Sequence, residues 1–403
     1  MKRTLRTLIA AVLCVAALLS FAACGESGSP EGVTTAPDAE NQVTSAVSET
    51  DDDILSPEEK LTAERIAYLA TVTYRDFVLT EGGEPYYVGR WFDESLDGIP
   101  HKITVTDGAH FYFLIEDADS FDVNFTVITT GTTPYFSYSI DGAAAVRQLI
   151  TEPTVTLPDS GRHTVRIIAD GMEEREGKWN MEKGFALKSI TPAEGGSIVG
   201  IKPTEPVIFF YGDSITEGIA ALSRGNSSNE NSATHAYPWL CAEALGATPY
   251  FIGYGASGII QVGSFNTMMK AIDYLSKDRL VDDRMKPDVI VVNHGTNDSG
   301  VTNQVFMNVM KPTISRLREK YPDAPIVYMI PFNQSHALSI RKAFKDMEMA
   351  NTYVVETSTW EITYTDGLHP DAAGAKVAGE NLARELKKIL GEDFFEGKRE
   401  SYS

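Results

Sequence analysis

The sequence predicts an α/β protein: a three-layer α/β/α domain preceded by a β-sandwich or jelly-roll domain. Three observations carry this reading. From about Leu61 to Gly196 apolar and polar residues alternate, as in Val123, Phe125 and Val127 against Asp122, Asn124 and Thr126. That is the period of half-buried strands. From about Pro206 the apolar residues run together instead, as in Val207-Ile208-Phe209-Phe210 and Val289-Ile290-Val291-Val292, with helical stretches between the runs. Strands buried on both faces and alternating with helices form a parallel sheet. Finally, 403 residues with 43% apolar and 23% charged side chains are enough for two or three domains with cores of their own.

The elements follow in order. Lys2, Arg3 and Arg6 make a basic start, and Leu8 to Ala23 is an apolar run too short to span a bilayer. Phe21-Ala22-Ala23-Cys24-Gly25 then resembles a bacterial lipoprotein signal, with Phe21 where leucine is usual. The resemblance implies that residues 1–23 are removed and that Cys24 is lipidated, on the extracellular face of a bacterial membrane. Residues 24–58 are Ser, Thr, Gly, Pro and acid, a composition that buries too little to order and predicts a flexible tether.

The sandwich is expected over 59–200, with turns at Gly82-Gly83, Asp107-Gly108, Asp141-Gly142 and Asp159-Ser160-Gly161. Tyr86, Tyr87 and Trp91 either line a sugar-binding surface or form its core, and the core reading is preferred. The α/β/α domain is expected over 201–392, with helices around Ala236–Leu245, Val305–Tyr321 and His336–Met349. A final helix follows Pro370, with that proline in its first turn, and 393–403 form a tail.

The net charge of −21 excludes a nucleic-acid partner, because phosphate binding needs clustered Lys and Arg. Three cysteines, Cys14, Cys24 and Cys241, make no disulfide framework, and Cys241 in an apolar segment reads as a buried filler. There is no HExxH, no paired cysteines and no phosphate-binding glycine loop, so no metal or cofactor is expected.

Sites in parallel sheets gather at the C-terminal ends of strands, and four segments fall there. Tyr211-Gly212-Asp213-Ser214-Ile215-Thr216-Glu217-Gly218 ends the first strand; its serine, alone, reads equally as a helix cap. Gly253-Tyr254-Gly255-Ala256-Ser257-Gly258 ends the second, where glycine lets a substrate approach and leaves an N–H facing the cleft. Gly295-Thr296-Asn297-Asp298 ends the third; Asn297 either aims its amide at a developing oxyanion or stabilises a turn. In Asp366-Gly367-Leu368-His369-Pro370 the acid and the imidazole stand three apart, close enough to hydrogen-bond and free the other ring nitrogen for a nucleophile.

Together these segments, from about Pro206 to Gly391, resemble the SGNH (GDSL) hydrolase superfamily. The resemblance implies a flavodoxin-like fold, Ser214 as nucleophile, His369 as base and Asp366 orienting it. It also implies an oxyanion hole made by the N–H groups of Ser214 and Gly258 with the Asn297 amide. Asp213 and Asp298 read as turn organisers, and His294, at a usually apolar place, as a supporting or packing residue. Tyr87-Val88-Gly89-Arg90-Trp91, Ile140-Asp141-Gly142 and Gly161 to Ile167 are similar to the β domain of carbohydrate esterase family 2, which removes acetyl groups from plant polysaccharides such as xylan or mannan. The Ser- and Asn-rich segment Ala221 to Ala233 departs from that family's pattern. Trp360 either stacks on a sugar or belongs to the core.

The expectation is therefore a lipid-anchored serine esterase acting on acetylated polysaccharide, touching the membrane through its anchor alone. A lipase, lysophospholipase or thioesterase is the alternative within enzymes, and a glycan-binding surface lipoprotein the alternative outside them.

Overall fold

The computed structural model describes residues 77–396 except 130, 175, 176 and 283; the leader, Cys24, the tether, residues 59–76 and most of the tail lie outside them. Among the described residues, twelve strands build the sandwich. They are β1 (Phe77–Leu79), β2 (Tyr86–Val88), β3 (Trp91–Leu96), β4 (Ile99–Thr104), β5 (His110–Glu116) and β6 (Ser120–Val127), then β7 (Tyr135–Ile140), β8 (Val146–Leu149), β9 (Thr154–Thr156), β10 (His163–Gly171), β11 (Phe185–Pro192) and β12 (Ser197–Pro203). One sheet runs β1-β12-β5-β10-β7-β8 with β2 also on β5, and the other β3-β4-β11-β6-β9, all antiparallel. The alternating residues meet between the sheets, where Trp91, Phe111, Phe113, Phe121, Phe136 and Phe185 form the core, with Tyr87 packed against it. Because β12 runs to Pro203, the sandwich extends past the predicted boundary at 200. The chain leaves it only at the short Thr204-Glu205 connection, where Pro203 and Pro206 end the ladder.

The second domain contains β13 (Val207–Gly212), α1 (Ser214–Glu217), α2 (Tyr237–Leu245), β14 (Thr248–Gly253) and α3 (Met268–Asp273). A hairpin of β15 (Tyr274–Ser276) and β16 (Arg279–Leu280) follows. The chain continues through β17 (Val289–Asn293), α4 (Asn303–Lys320), β18 (Ile326–Met329), α5 (Ala337–Met347), β19 (Thr352–Val355) and α6 (Ala372–Leu390). The parallel sheet is ordered β14-β13-β17-β18-β19. Counted within the domain this is the flavodoxin-like order, whose reversal between the first and third strands marks the binding edge. Each of β13, β14, β17 and β18 is buried throughout, as their unbroken apolar runs require. Residues of α2 and α6, including Cys241, Leu382 and Leu386, pack on Ile208, Phe210, Val291 and Val327. The short α3 and the hairpin were not expected, because neither is long enough to show a period.

Sandwich and α/β domain belong to one compact unit. Ile168 of β10 shares an apolar cluster with Trp239 and Phe251 of the second domain. Buried Arg90 crosses between them, donating to the carbonyl oxygens of Tyr274 (2.9 Å) and Ala271. Gly108 sits in left-handed conformation (φ +80°), and a Cβ there would stand 2.5 Å from the Phe251 ring. Overpacking and the unfavourable φ together predict that Gly108→Ala costs about 2 kcal/mol or more in thermal unfolding. A Tm equal to that of the wild type would show that this interface yields.

Candidate active site

Ser214 is the first residue of α1, at the end of β13, and Asp213, not Ser214, is the cap: its Oδ1 accepts the Ile215 N–H at 3.0 Å. The helix lies so close to its own strand that a Cβ at Gly212 would meet Thr216 Oγ1 at 1.9 Å, so only glycine fits. His369 arrives from the turn before α6. There Tyr364 bridges Pro370, and the Thr365 N–H donates to the His369 carbonyl at 3.0 Å. Pro370 is therefore part of the turn. Asp371 caps α6 by accepting the Gly374 N–H at 2.7 Å, so the proline stands before the first helical turn, contrary to the sequence reading.

The Ser214 hydroxyl lies 2.9 Å from His369 Nε2, and His369 Nδ1 lies 2.8 Å from Asp366 Oδ2. Burial acts to raise the Asp366 carboxyl. The N–H groups of His369 and Leu368, at 2.8 and 2.9 Å from Oδ1, together with the ring, prevail and hold it down at about 2. An anionic Asp366 accepts from Nδ1–H, which leaves the Nε2 lone pair to take the Ser214 proton. Residues 155 positions apart in sequence thus form one hydrogen-bonded relay.

The expected oxyanion donors are arranged differently. The Ser214 N–H is at the first helical position, where no intrahelical acceptor exists. The Gly258 N–H, expected to face the cleft, is instead donated to the Gln261 carbonyl at 2.9 Å. The cause is Asp298. Its carboxylate accepts the N–H groups of Ile259, Ile260 and Gln261 at 2.8, 2.9 and 3.0 Å, and so gathers the loop into a closed turn. The Asn297 amide donates to the Ser257 carbonyl at 2.9 Å and, at a longer 3.3 Å, to Asp213 Oδ2.

His294 is buried, and burial pushes it down to about 4 against the opposing pull of Asp298 and a hydrogen bond with the Ser257 backbone; it is a neutral packing group. Trp360 is half-buried, its ring 6.1 Å from that of Phe332 at the edge of the core. Cys241 is a free, buried thiol that burial pushes well up.

A serine, an imidazole and an oriented carboxylate at the binding edge of an α/β/α sheet define a serine ester hydrolase. Residues 210–377, from the last turn of β13's strand into α6, match the GDSL-like lipase/acylhydrolase family. No match is found among curated proteins. Among solved structures, a family two carbohydrate esterase from Clostridium thermocellum in complex with cellohexaose is similar over 77% of this chain and 100% of its own, with TM-score 0.61 and 20% identity. A family two carbohydrate esterase from Cellvibrio japonicus matches 79% of this chain and 98% of its own, with TM-score 0.63 and 19% identity. An acetyl xylan esterase from Butyrivibrio proteoclasticus matches 80% and 97%, with TM-score 0.55 and 14% identity. The likeness runs through both domains and is one of fold.

Asp213 gives this site a measurable signature. Burial raises its carboxyl to about 7, opposed in part by the Ile215 N–H and His369, while Asp298 adds to the rise. In the unfolded chain an Asp ionises near ~3.9. Between those values the native state holds more protons, so this group makes stability fall as pH rises. Asn also caps helices, so Asp213→Asn removes the titration and keeps the cap. Its Tm relative to wild type should rise between pH 4 and pH 8; a difference independent of pH would refute the assignment.

Proposed function

We propose that this protein is a lipid-anchored esterase that removes O-acetyl groups from polysaccharide of the xylan or mannan type, through an acyl-enzyme on Ser214. The observation that carries the chemistry is the unbroken Ser214–His369–Asp366 relay. His369 takes the hydroxyl proton as Ser214 attacks the acetyl carbonyl, then returns it to the departing sugar oxygen. A water, deprotonated by the same imidazole, releases acetate. The Ser214 N–H and the Asn297 amide stabilise the oxyanion, the latter by exchanging its long Asp213 contact for the substrate oxygen. Each such donor is worth about 10²–10³-fold in rate. The substrate class is supported by the two-domain likeness to carbohydrate esterases, one of them solved with cellohexaose. Anchoring at Cys24 and an extracellular location are supported by the lipoprotein-like signal.

Acetate release from acetylated xylan, mannan and pectin, beside hydrolysis of a long-chain aryl ester, tests the proposal. Release from xylan or mannan with little long-chain hydrolysis is expected. Preference for the long chain would move the substrate to lipids or thioesters, and silence on every substrate would favour a glycan-binding role. Ser214→Ala should lower acetate release by about 10³-fold or more while the circular dichroism spectrum persists; unchanged turnover would refute the nucleophile.

A further inference from the structure

Lys178 opens the 3₁₀ turn Lys178–Asn180, between β10 and β11 of the sandwich, and its side chain is completely buried. Its ammonium donates to Asp107 Oδ2 at 2.9 Å and to Glu217 Oε1. Both carboxylates are buried as well. Asp107 is in the loop between β4 and β5, whereas Glu217 is the last residue of α1, three beyond Ser214. One cation and two anions therefore join the sandwich to the helix that carries the serine, and the hydrolytic relay uses none of them.

Neighbouring contacts serve the next loop. Thr106 Oγ1 and Arg90 Nη1 meet the Tyr254 hydroxyl at 3.0 and 3.3 Å, and the Tyr254 carbonyl accepts the Ser257 N–H at 3.1 Å. The sandwich thus braces both segments that face the relay.

We infer that Lys178 is a positioning residue for the hydrolysis, fixing through Glu217 where Ser214 stands relative to His369; this rests on Ser214 being the nucleophile. A one-turn helix has no cooperative stability to hold its own place. Buried charges without a partner are driven toward water or toward neutrality, so loss of the ammonium leaves Glu217 pulling α1 out of register. A shift of about 1 Å in a reacting group costs about 10²-fold in rate.

The test uses two readouts on the intact protein: labelling of Ser214 by a fluorophosphonate, followed by mass, and hydrolysis of an aryl acetate. Folding is checked by thermal unfolding. For folded Lys178→Met, labelling and kcat should fall by about 10²-fold with KM within about twofold of wild type. Lys178→Met/Glu217→Gln, which also removes the charge stranded on α1, should recover about tenfold of that loss. Wild-type kcat in folded Lys178→Met, or a double variant no faster than the single one, overturns the inference. Should Lys178→Met not fold, Glu217→Gln decides, since it keeps the Lys178–Asp107 pair: a kcat lowered by about tenfold or more supports positioning, and an unchanged one overturns it. A wild-type protein that the fluorophosphonate does not label removes the nucleophile and this inference with it, whereas a labelled wild type keeps the two questions apart.

Discussion

A helix of four residues cannot hold itself together in water, yet α1 determines where Ser214 stands. Its stability comes entirely from what clamps it. Asp213 caps its first turn, the Gly218 and Ile219 N–H groups close on the Ser214 carbonyl at 3.0 Å, and Thr216 Oγ1 meets the Tyr237 hydroxyl at 2.9 Å. Lys178 holds its far end from the sandwich. The clamps come from the first strand's end, from α2 and from the other domain. The position of Ser214 is therefore a property of the assembled molecule, and the motif around it supplies the parts that let the helix sit this close.

The carboxylates around the relay are divided by environment. Asp366, near the surface and surrounded by donors, is held down at about 2 and hydrogen-bonds the imidazole. Asp213, sealed from water with few donors, is protonated up to about pH 7. Asp298, equally buried, accepts three backbone N–H groups. Because hydrogen bonds to ionised acceptors are the stronger ones, a neutral Asp213 holds the Asn297 amide less tightly than a carboxylate would. The same residue type thus holds an imidazole, caps a helix and folds a loop, and its surroundings decide which.

What the sequence reveals follows from which interactions leave a local pattern. Val207 to Phe210 and Val289 to Val292 announce buried strands because both faces of a central sheet exclude polar residues. Asp366 and His369 were legible because their partners lie within one turn. Lys178, Asp107 and Glu217 were not: a buried ion looks in sequence like any solvated charge, and only the fold brings three such residues together from positions 107 to 217. The closed Gly258 amide was hidden for the same reason, since the loop's shape is dictated by Asp298, forty positions later. Pro370 misled because a proline suits a helix's first turn, whereas here Asp371 supplies the cap.

Segment 221–233 is held jointly by the two domains. Arg147 of β8 donates to the carbonyls of Ser228 and Asn231, the latter at 2.9 Å, and Asp170 of β10 accepts the Thr234 N–H at 2.8 Å. Asn231 Oδ1 in turn accepts the Ala220 N–H at 2.9 Å, and the Ala220 carbonyl accepts the Thr365 hydroxyl at 2.8 Å, one residue before Asp366. An unbroken chain of hydrogen bonds thus runs from the sandwich, through this loop, to the turn that carries His369. A loop so held can change its exposed side chains while its backbone keeps its place, because Arg147, Asp170 and Asn231 fix main-chain atoms. The sandwich therefore supports, through main-chain atoms of this loop, the turn that carries Asp366 and His369.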